Sequence, residues 1–178
     1  MADDKNTKLL LKRLQSANKA EILVAINELK DTGQPELIPA LLDVLIIHND
    51  NQIHSAVFGI LNDLKNQRCT HEIVNALKSN KYKVFQKSIY VSCWSSGLDY
   101  SEYLPFFVDL FIVEDFINAF EVFTLIETFE REFDALLLDN LLRKLKSGTL
   151  SNDETKNNLL NALVQLLENW KTLAINPN

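Results

Sequence analysis

Apolar residues recur along this chain at helical spacing, and one short stripe of them appears four times. The first copy is Ile22, Ala25, Ile26 and Leu29, whose three- and four-residue steps place them on one helix face. The later copies are Ile53, Ala56, Val57 and Ile60, then Phe85, Ser88, Ile89 and Ser92, then Phe116, Ala119, Phe120 and Phe123. The first members lie 31, 32 and 31 residues apart. A period of this length predicts an array of repeated structural units.

A second family of apolar segments lies between these stripes. It reads ELIPALLDVL from Glu36, EIVNALK from Glu72 and EYLPFFVDLF from Glu102, with a looser member, DALLLDNLLRKL, from Asp134. Each repeat is therefore predicted to be a pair of helices. The ten predicted helices cover about 4–16, 18–31, 35–47, 50–65, 70–79, 81–95, 101–112, 114–130, 133–147 and 151–171.

Residues between these segments are typical of helix ends. We expect Gly33, Gly97 and Gly148 to end helices in the left-handed conformation. Three pairs have the spacing of a capping box at a helix start: Asn18 with Glu21, Asp99 with Glu102, and Ser151 with Glu154. Pro39 and Pro105 are expected to kink or delay the first turns of their helices. The Leu-rich first and last helices are interpreted as end caps of a single domain over residues 1–178.

Composition narrows the class of protein. Four Gly and four Pro in 178 residues are too few for the turns of a sandwich or barrel, so the fold class is predicted to be all-α. No apolar run approaches the ~20 residues that span a bilayer, and the first residues do not resemble a signal peptide. Cys69 and Cys93 are too few for a disulfide framework. We therefore expect a cytoplasmic protein with reduced thiols.

The helix pairs, the small residues at Ala25, Ala56, Ser88 and Ala119, and the segments ELIPALLDVL and EYLPFFVDLF resemble the HEAT-repeat family. The resemblance covers roughly residues 18–145 and implies an α-α superhelix, or solenoid, of about four HEAT-like helix pairs with capping helices. This repeat is shorter than the usual unit of ~40 residues and lacks the familiar Asp/Arg pair of the turns. Most members of the family are scaffolds for another protein or peptide, and a minority are enzymes.

Charge departs from the average in the middle of the chain. Between Ser88 and Glu130 there are eight acidic residues and no Lys or Arg, a net charge of −8 over 43 residues. Such a surface is expected to repel nucleic acid and to attract a basic protein or peptide. The alternative is a solvated acidic face with no partner. A basic cluster, Lys78, Lys81, Lys83 and Lys87, adjoins this stretch and is expected to complement it.

Aromatic residues gather in the same stretch, with 11 of the 16 lying between Tyr90 and Phe129. Phe116, Phe120 and Phe123 belong to the repeated stripe, so we expect them in the core. Tyr90 and Trp94 are four residues apart at mixed repeat positions, which predicts an exposed aromatic ledge or a half-buried pair. The predicted partner-binding residues are Tyr90, Trp94, Tyr100, Tyr103, Glu102, Asp109, Glu114, Asp115 and Glu121.

The sequence gives little evidence for a catalytic site or a metal site. Cys93 has no histidine nearby in sequence to activate it and is expected to be a small buried filler. The histidines form no metal-binding motif with Cys69, and no glycine-rich loop is present for a phosphate. The hypothesis is a non-enzymatic protein-binding scaffold without metal, cofactor, nucleic acid or membrane. The alternatives are a HEAT-like enzyme of the DNA glycosylase or bilin lyase type, and a structural subunit of a larger assembly.

Overall fold

The computed structural model describes residues 2–32, 34–147 and 153–175, and this part of the chain is helical and contains no strand. The all-α class is confirmed, and ten α-helices lie in these ranges close to their predicted places. They are α1 (Ala2–Leu14), α2 (Lys19–Thr32), α3 (Ile38–Ile47), α4 (Asn51–Asn62), α5 (Cys69–Lys78), α6 (Gln86–Ser96), α7 (Leu104–Val113), α8 (Phe116–Glu127), α9 (Ala135–Ser147) and α10 (Glu154–Ile175).

Short 3-10 turns precede three of the helices, at Pro35–Leu37 before α3, Asn80–Phe85 before α6 and Ser101–Tyr103 before α7. Pro39 and Pro105 stand at the start of α3 and α7. Proline lacks the backbone N–H and favours the first turn of an α-helix over its interior. The predicted delay of the first α-helical turn at these two prolines is confirmed.

The chain divides into two compact units, Met1–Asp99 and Tyr100–Asn178. In the first unit, α2 packs against α4 and α4 against α6, while α1 packs against α3 and α3 against α5. In the second unit, α7 packs against α9 and α8 against α10, and α7 also packs against α8. Each unit therefore consists of two layers of helices. The single domain over residues 1–178 stays a prediction.

Aspartate–lysine pairs join helices within each unit. Asp43 on α3 accepts hydrogen bonds from Lys81 and from the Tyr82 hydroxyl, and Lys19 lies 2.7 Å from Asp50. In the second unit, Lys144 pairs with Asp109, and Lys171 pairs with Asp139. Exposed pairs of this kind contribute ~0.2–1 kcal/mol each, so we assign them to the relative placement of helices more than to stability.

Helix ends follow the sequence in part. Gly97 ends α6 with a φ of 67°, a left-handed conformation, which confirms that prediction. The Asn18 side chain accepts a hydrogen bond from the backbone N–H of Ala20, 2.9 Å away, as a helix cap does. Asp99 is not a cap, since Tyr100 directly precedes the turn at 101–103. Gly33, Gly148 and Ser151 lie outside the described residues. No helix within the described ranges has both the length and the apolar character to cross a membrane.

Candidate interaction surface on helix α8

The predicted aromatic ledge on α6 is not exposed. Tyr90 is fully buried, with 0% of its surface accessible, and Trp94 is half-buried. Helix α6 packs against both α4 and α5, so its buried arc is wider than one stripe and includes Tyr90. The prediction that Tyr90 lies on a contact surface is therefore wrong, and Trp94 keeps only part of its exposure.

Tyr100 is also a core residue and not a contact residue. Its ring is fully buried and meets Phe107 edge-on, with ring centroids 6.1 Å apart. Phe107 in turn contacts Phe129, with centroids 6.2 Å apart. These rings form part of the core of the second unit, which is why the predicted exposure of Tyr100 is wrong. Tyr103, in the adjoining turn, is half-buried.

The predicted acidic residues lie in the second unit, in different surroundings. Asp109 on α7 is paired with Lys144, and Glu102 is exposed in the turn before α7. Lys156 on α10 donates to the backbone oxygens of Ile112 and Glu114 at the carbonyl end of α7. The pair with Lys144 partly neutralises Asp109 within the fold.

The remaining predicted carboxylates gather around α8. The side chain of Glu114 accepts a hydrogen bond from the Asn118 amide at 2.9 Å, Asp115 caps the helix, and Glu121 is half-buried on it. Glu127, at the last position of α8, is exposed. We call Glu114, Asp115, Glu121 and Glu127 the acidic rim. Within the described ranges, Asp115 forms no ion pair.

An aspartate side chain caps the start of α8, as it does the starts of α4 and α10. The Asp115 side chain accepts from the Asn118 N–H at 2.9 Å, and the Asp50 side chain accepts from the Ile53 N–H at 3.1 Å. Asp153 accepts from the backbone N–H of Thr155 at 2.9 Å at the start of α10. Each of these aspartates directly precedes its helix, so positions in the three helices can be counted from it.

Three of the four buried positions of α4 and of α8 agree when they are counted from the cap; the remaining one is the third position in α4, Ile53, and the fourth in α8, Ala119. The seventh, tenth and eleventh positions are Val57, Ile60 and Leu61 in α4 and Val122, Leu125 and Ile126 in α8, and all six are buried. The apolar stripe instead matches Phe120 with Val57, a difference of two residues. In the structure Phe120 is 48% exposed, so its predicted place in the core is wrong, while Phe116 and Phe123 are half-buried.

The solvent side of α8 is apolar where its counterparts are polar. The first, second and fifth positions after the cap are Asn51, Gln52 and Ser55 in α4, and Glu154, Thr155 and Asn158 in α10, all exposed. In α8 they are Phe116, Ile117 and Phe120, which we call the α8 face. Ile117 is 54% exposed, and the rings of Phe116 and Phe120 lie 6.3 Å apart. A contiguous exposed apolar patch with a polar rim is typical of an interaction site.

Reasoning from the sequence missed Ile117 and assigned Phe116 and Phe120 to the core. The signal that would have found them is the cap. Asp115 precedes α8 as Asp50 precedes α4. When the two helices are aligned on these aspartates, Phe116, Ile117 and Phe120 take the positions of three polar residues of α4.

The cysteines and the possible metal ligands are the other chemical groups that the sequence singles out. Both cysteines are buried, and burial raises the pKa of the Cys69 thiol to about 11, which keeps it protonated at neutral pH. In the described ranges, no group of three His, Cys, Asp or Glu side chains could hold a metal ion.

Comparison with known proteins gives no match, whether with protein-family models, curated proteins or solved structures. The interpretation of the α8 face therefore depends on its geometry and its chemistry.

Proposed function

We propose that this chain is a non-enzymatic protein-binding scaffold whose α8 face and acidic rim bind a basic peptide or protein. The observation that supports this most is the replacement of polar residues by Phe116, Ile117 and Phe120 at three solvent positions. Removal of apolar surface from water by a partner contributes a favourable free energy of about 25 cal/mol for each Å². Aromatic side chains at the centre of an interface contribute most of the affinity in many complexes.

The proposed architecture is an α-α superhelix of HEAT-like helix pairs. Within each unit, helices that are two apart in the sequence pack side by side, as α2 with α4 and α8 with α10. Successive helix pairs in α-solenoids stack in this way, which supports the resemblance drawn from the repeated stripes. Such arrays commonly bind partners on an extended face.

Charge supports a basic partner. The second unit contains 6 Lys and Arg against 13 Asp and Glu, a net charge of −7, whereas the first contains 12 against 11, a net charge of +1. A surface of one sign speeds encounter with a partner of the other sign and disfavours partners of its own sign. We therefore assign selectivity to the acidic rim and affinity to the α8 face.

The test converts the α8 face to its α4 counterpart. The variant Ile117→Gln/Phe120→Ser carries on α8 the residues found at Gln52 and Ser55. Tagged wild-type and variant proteins are compared for capture from the source lysate by mass spectrometry, at about 0.1 M and about 0.5 M salt, because screening weakens charge-driven contacts. The matched control is Asn158→Ser, at the fifth position of α10.

We expect the wild type and Asn158→Ser to capture the same basic protein, more at low salt, and the α8 variant to lose it. With the purified partner, the dissociation constant of the α8 variant should rise at least about tenfold, as expected for removal of a central aromatic anchor. Circular dichroism confirms that the variant is folded. Equal capture by the folded α8 variant would contradict the proposal.

A further inference from the structure

The apolar α8 face continues along one row of the helix to an acidic end. Phe116, Phe120 and Glu127 follow one another at steps of four and seven residues, which places them on the same side of α8. Glu127 lies about 10 Å beyond Phe120 along the helix axis, because an α-helix rises about 1.5 Å for each residue. The row therefore has an apolar end at the start of α8 and an acidic end two turns away.

Glu127 has no counterion within the described ranges of the chain. Its exposed side chain forms no hydrogen bond or ion pair there, and Arg131, four residues further on, forms none with it. By contrast, Lys156 already donates to the backbone oxygen of Glu114 at the other end of the row. The carbonyl end of α8 coincides with Glu127 and adds a partial negative charge. A cation from a partner is therefore attracted to the Glu127 end.

The row presents side chains, and not backbone groups, to a partner. Its residues lie within one α-helix, whose backbone groups bond to one another along the helix axis. The hydroxyl of Thr124 donates to the backbone oxygen of Phe120 at 3.0 Å, within the same helix. An extended peptide laid on this row would turn backbone N–H and C=O groups from water toward aromatic rings, which costs free energy. A helix satisfies its own backbone groups and covers the row with side chains alone.

From the order of apolar and acidic positions, and from these backbone requirements, we infer that the occupant of the α8 face is a basic amphipathic helix of a partner protein. The inference rests on the proposed function, because it concerns the same surface. The partner helix packs apolar side chains at i, i+3 and i+4 against the α8 face. It carries Lys or Arg about two turns further along, opposite Glu127. The α8 helix of a second copy does not fit, since it contains no Lys or Arg.

Selection from a peptide library tests the inference without a known partner. Random peptides of about 16 residues, long enough for about four helical turns, are displayed on phage and selected on the full chain. Peptides that also bind Ile117→Gln/Phe120→Ser are removed. We expect the remaining peptides to have apolar residues at i, i+3 and i+4, with Lys or Arg about two turns beyond them. Their circular dichroism should show more helix when the full chain is added.

The helical conformation is tested within one enriched peptide. A proline at a central position, away from the apolar residues, should raise the dissociation constant at least about tenfold, because proline interrupts a helix. Fluorescence anisotropy of the labelled peptide measures this constant. Alanine at the same position is the matched control and should leave the constant unchanged, since alanine favours a helix.

The acidic end is tested by Glu127→Gln, which removes the charge and keeps the size and helix propensity of the side chain. The dissociation constant of the enriched peptide should rise about threefold at about 0.1 M salt, as expected for an exposed ion pair. The rise should be smaller at about 0.5 M salt, because screening weakens the contact. The matched control is Glu36→Gln, which removes an exposed carboxylate of the first unit and should leave the constant unchanged.

Several results would overturn the inference. Enriched peptides that alternate apolar residues at every second position, or that tolerate the central proline, would replace the helix by an extended segment and leave the proposed function intact. The inference is also wrong if every selected peptide binds Ile117→Gln/Phe120→Ser, and the lysate capture then decides the proposed function by itself. Dimers in sedimentation velocity that this variant abolishes would assign the α8 face to a second copy. Lysate capture unaffected by the variant would contradict the proposed function and the inference together.

Discussion

Helices α4 and α8 each start with an aspartate cap and share three of their four buried positions, yet their solvent faces differ. Where α4 has Asn51, Gln52 and Ser55, α8 has an apolar face. Packing between helices constrains the buried positions, so both helices retain apolar residues there. The solvent positions are free of that constraint, and a functional difference between repeats is therefore expected to appear on them.

The largest expected effect is on stability. Alignment on the apolar stripe pairs Phe120 with Val57, whereas alignment on the caps does not, so an aspartate is placed at each of these two residues. Val57→Asp buries an unpaired carboxylate and should lower the free energy of unfolding by at least about 3 kcal/mol. Phe120→Asp loses only the buried half of a phenylalanine, about 1 kcal/mol. Urea unfolding is followed by fluorescence of Trp94 in the first unit and of Trp170 in the second. Equal losses in the two variants would favour the register of the apolar stripe over that of the caps.

The all-α class and the positions of the helices could be predicted because the repeated stripes and segments carry a clear helical period. The buried face of α8 could not, because its sequence FINAFEVFTLIE is apolar on nearly all sides. A helix that is apolar all round gives no periodic signal for the side that packs. The cap at Asp115 is the sequence signal that locates the buried positions of α8, and alignment on the apolar stripe does not use it.

The tyrosines failed as contact residues for a related reason. The sequence predicts Tyr90 at the surface because its repeat position is mixed and because tyrosine is frequent at interfaces, and it predicts Tyr100 there because Tyr100 lies near the start of the following helix. The repeat pattern does not report how many neighbours a helix has, and α6 packs against two. Tyr100 precedes a 3-10 turn, where the helical period says nothing about the direction of the ring.

Cysteine labelling tests the same two positions with a smaller perturbation. Phe120→Cys should react with a thiol reagent at pH 8 at least about 100-fold faster than Val57→Cys, because a buried thiol reacts only after local opening that costs about 3 kcal/mol. The native thiols of Cys69 and Cys93 are both buried and give the slow background rate in the wild type. Fast labelling of Val57→Cys in the folded protein would contradict the assignment of Val57 to the buried face of α4 and of Phe120 to the solvent face of α8.

Gly59 offers a stabilising test of the solvent face of α4. It lies inside the helix, at the ninth position after the cap, and an added Cβ would have no atom within 4 Å. Gly59→Ala should raise the free energy of unfolding of the first unit by about 0.5–1 kcal/mol, because alanine has the higher helix propensity. Thr124 holds the ninth position of α8, and Thr124→Ala is the matched change. A loss of stability in Gly59→Ala would mean that the added methyl group clashes with a neighbouring residue, and it would contradict the assignment of this position to the solvent face.

The smallest expected effect concerns the caps themselves, which differ in their charge partners. Lys19 and then the backbone N–H of Ile53 hold the pKa of Asp50 below its ordinary value of 3.8. Because the pKa is lower in the folded state, the ionised carboxylate adds stability above pH 4, and this part is lost as the pH falls through the folded pKa. Asp50→Asn keeps an oxygen for the cap and removes the charge.

The urea midpoint of the wild type should therefore be higher than that of Asp50→Asn at pH 6, and the two should converge as the pH falls through the folded pKa of Asp50, below which both side chains are neutral. The pair is exposed, so the difference should shrink at about 0.5 M salt. In a Lys19→Gln background the same substitution should have a smaller effect, since the ion pair is already absent. A difference that persists undiminished at low pH would assign the role of Asp50 to cap geometry alone, and the charge of Lys19 would then have no part in distinguishing the cap of α4 from that of α8.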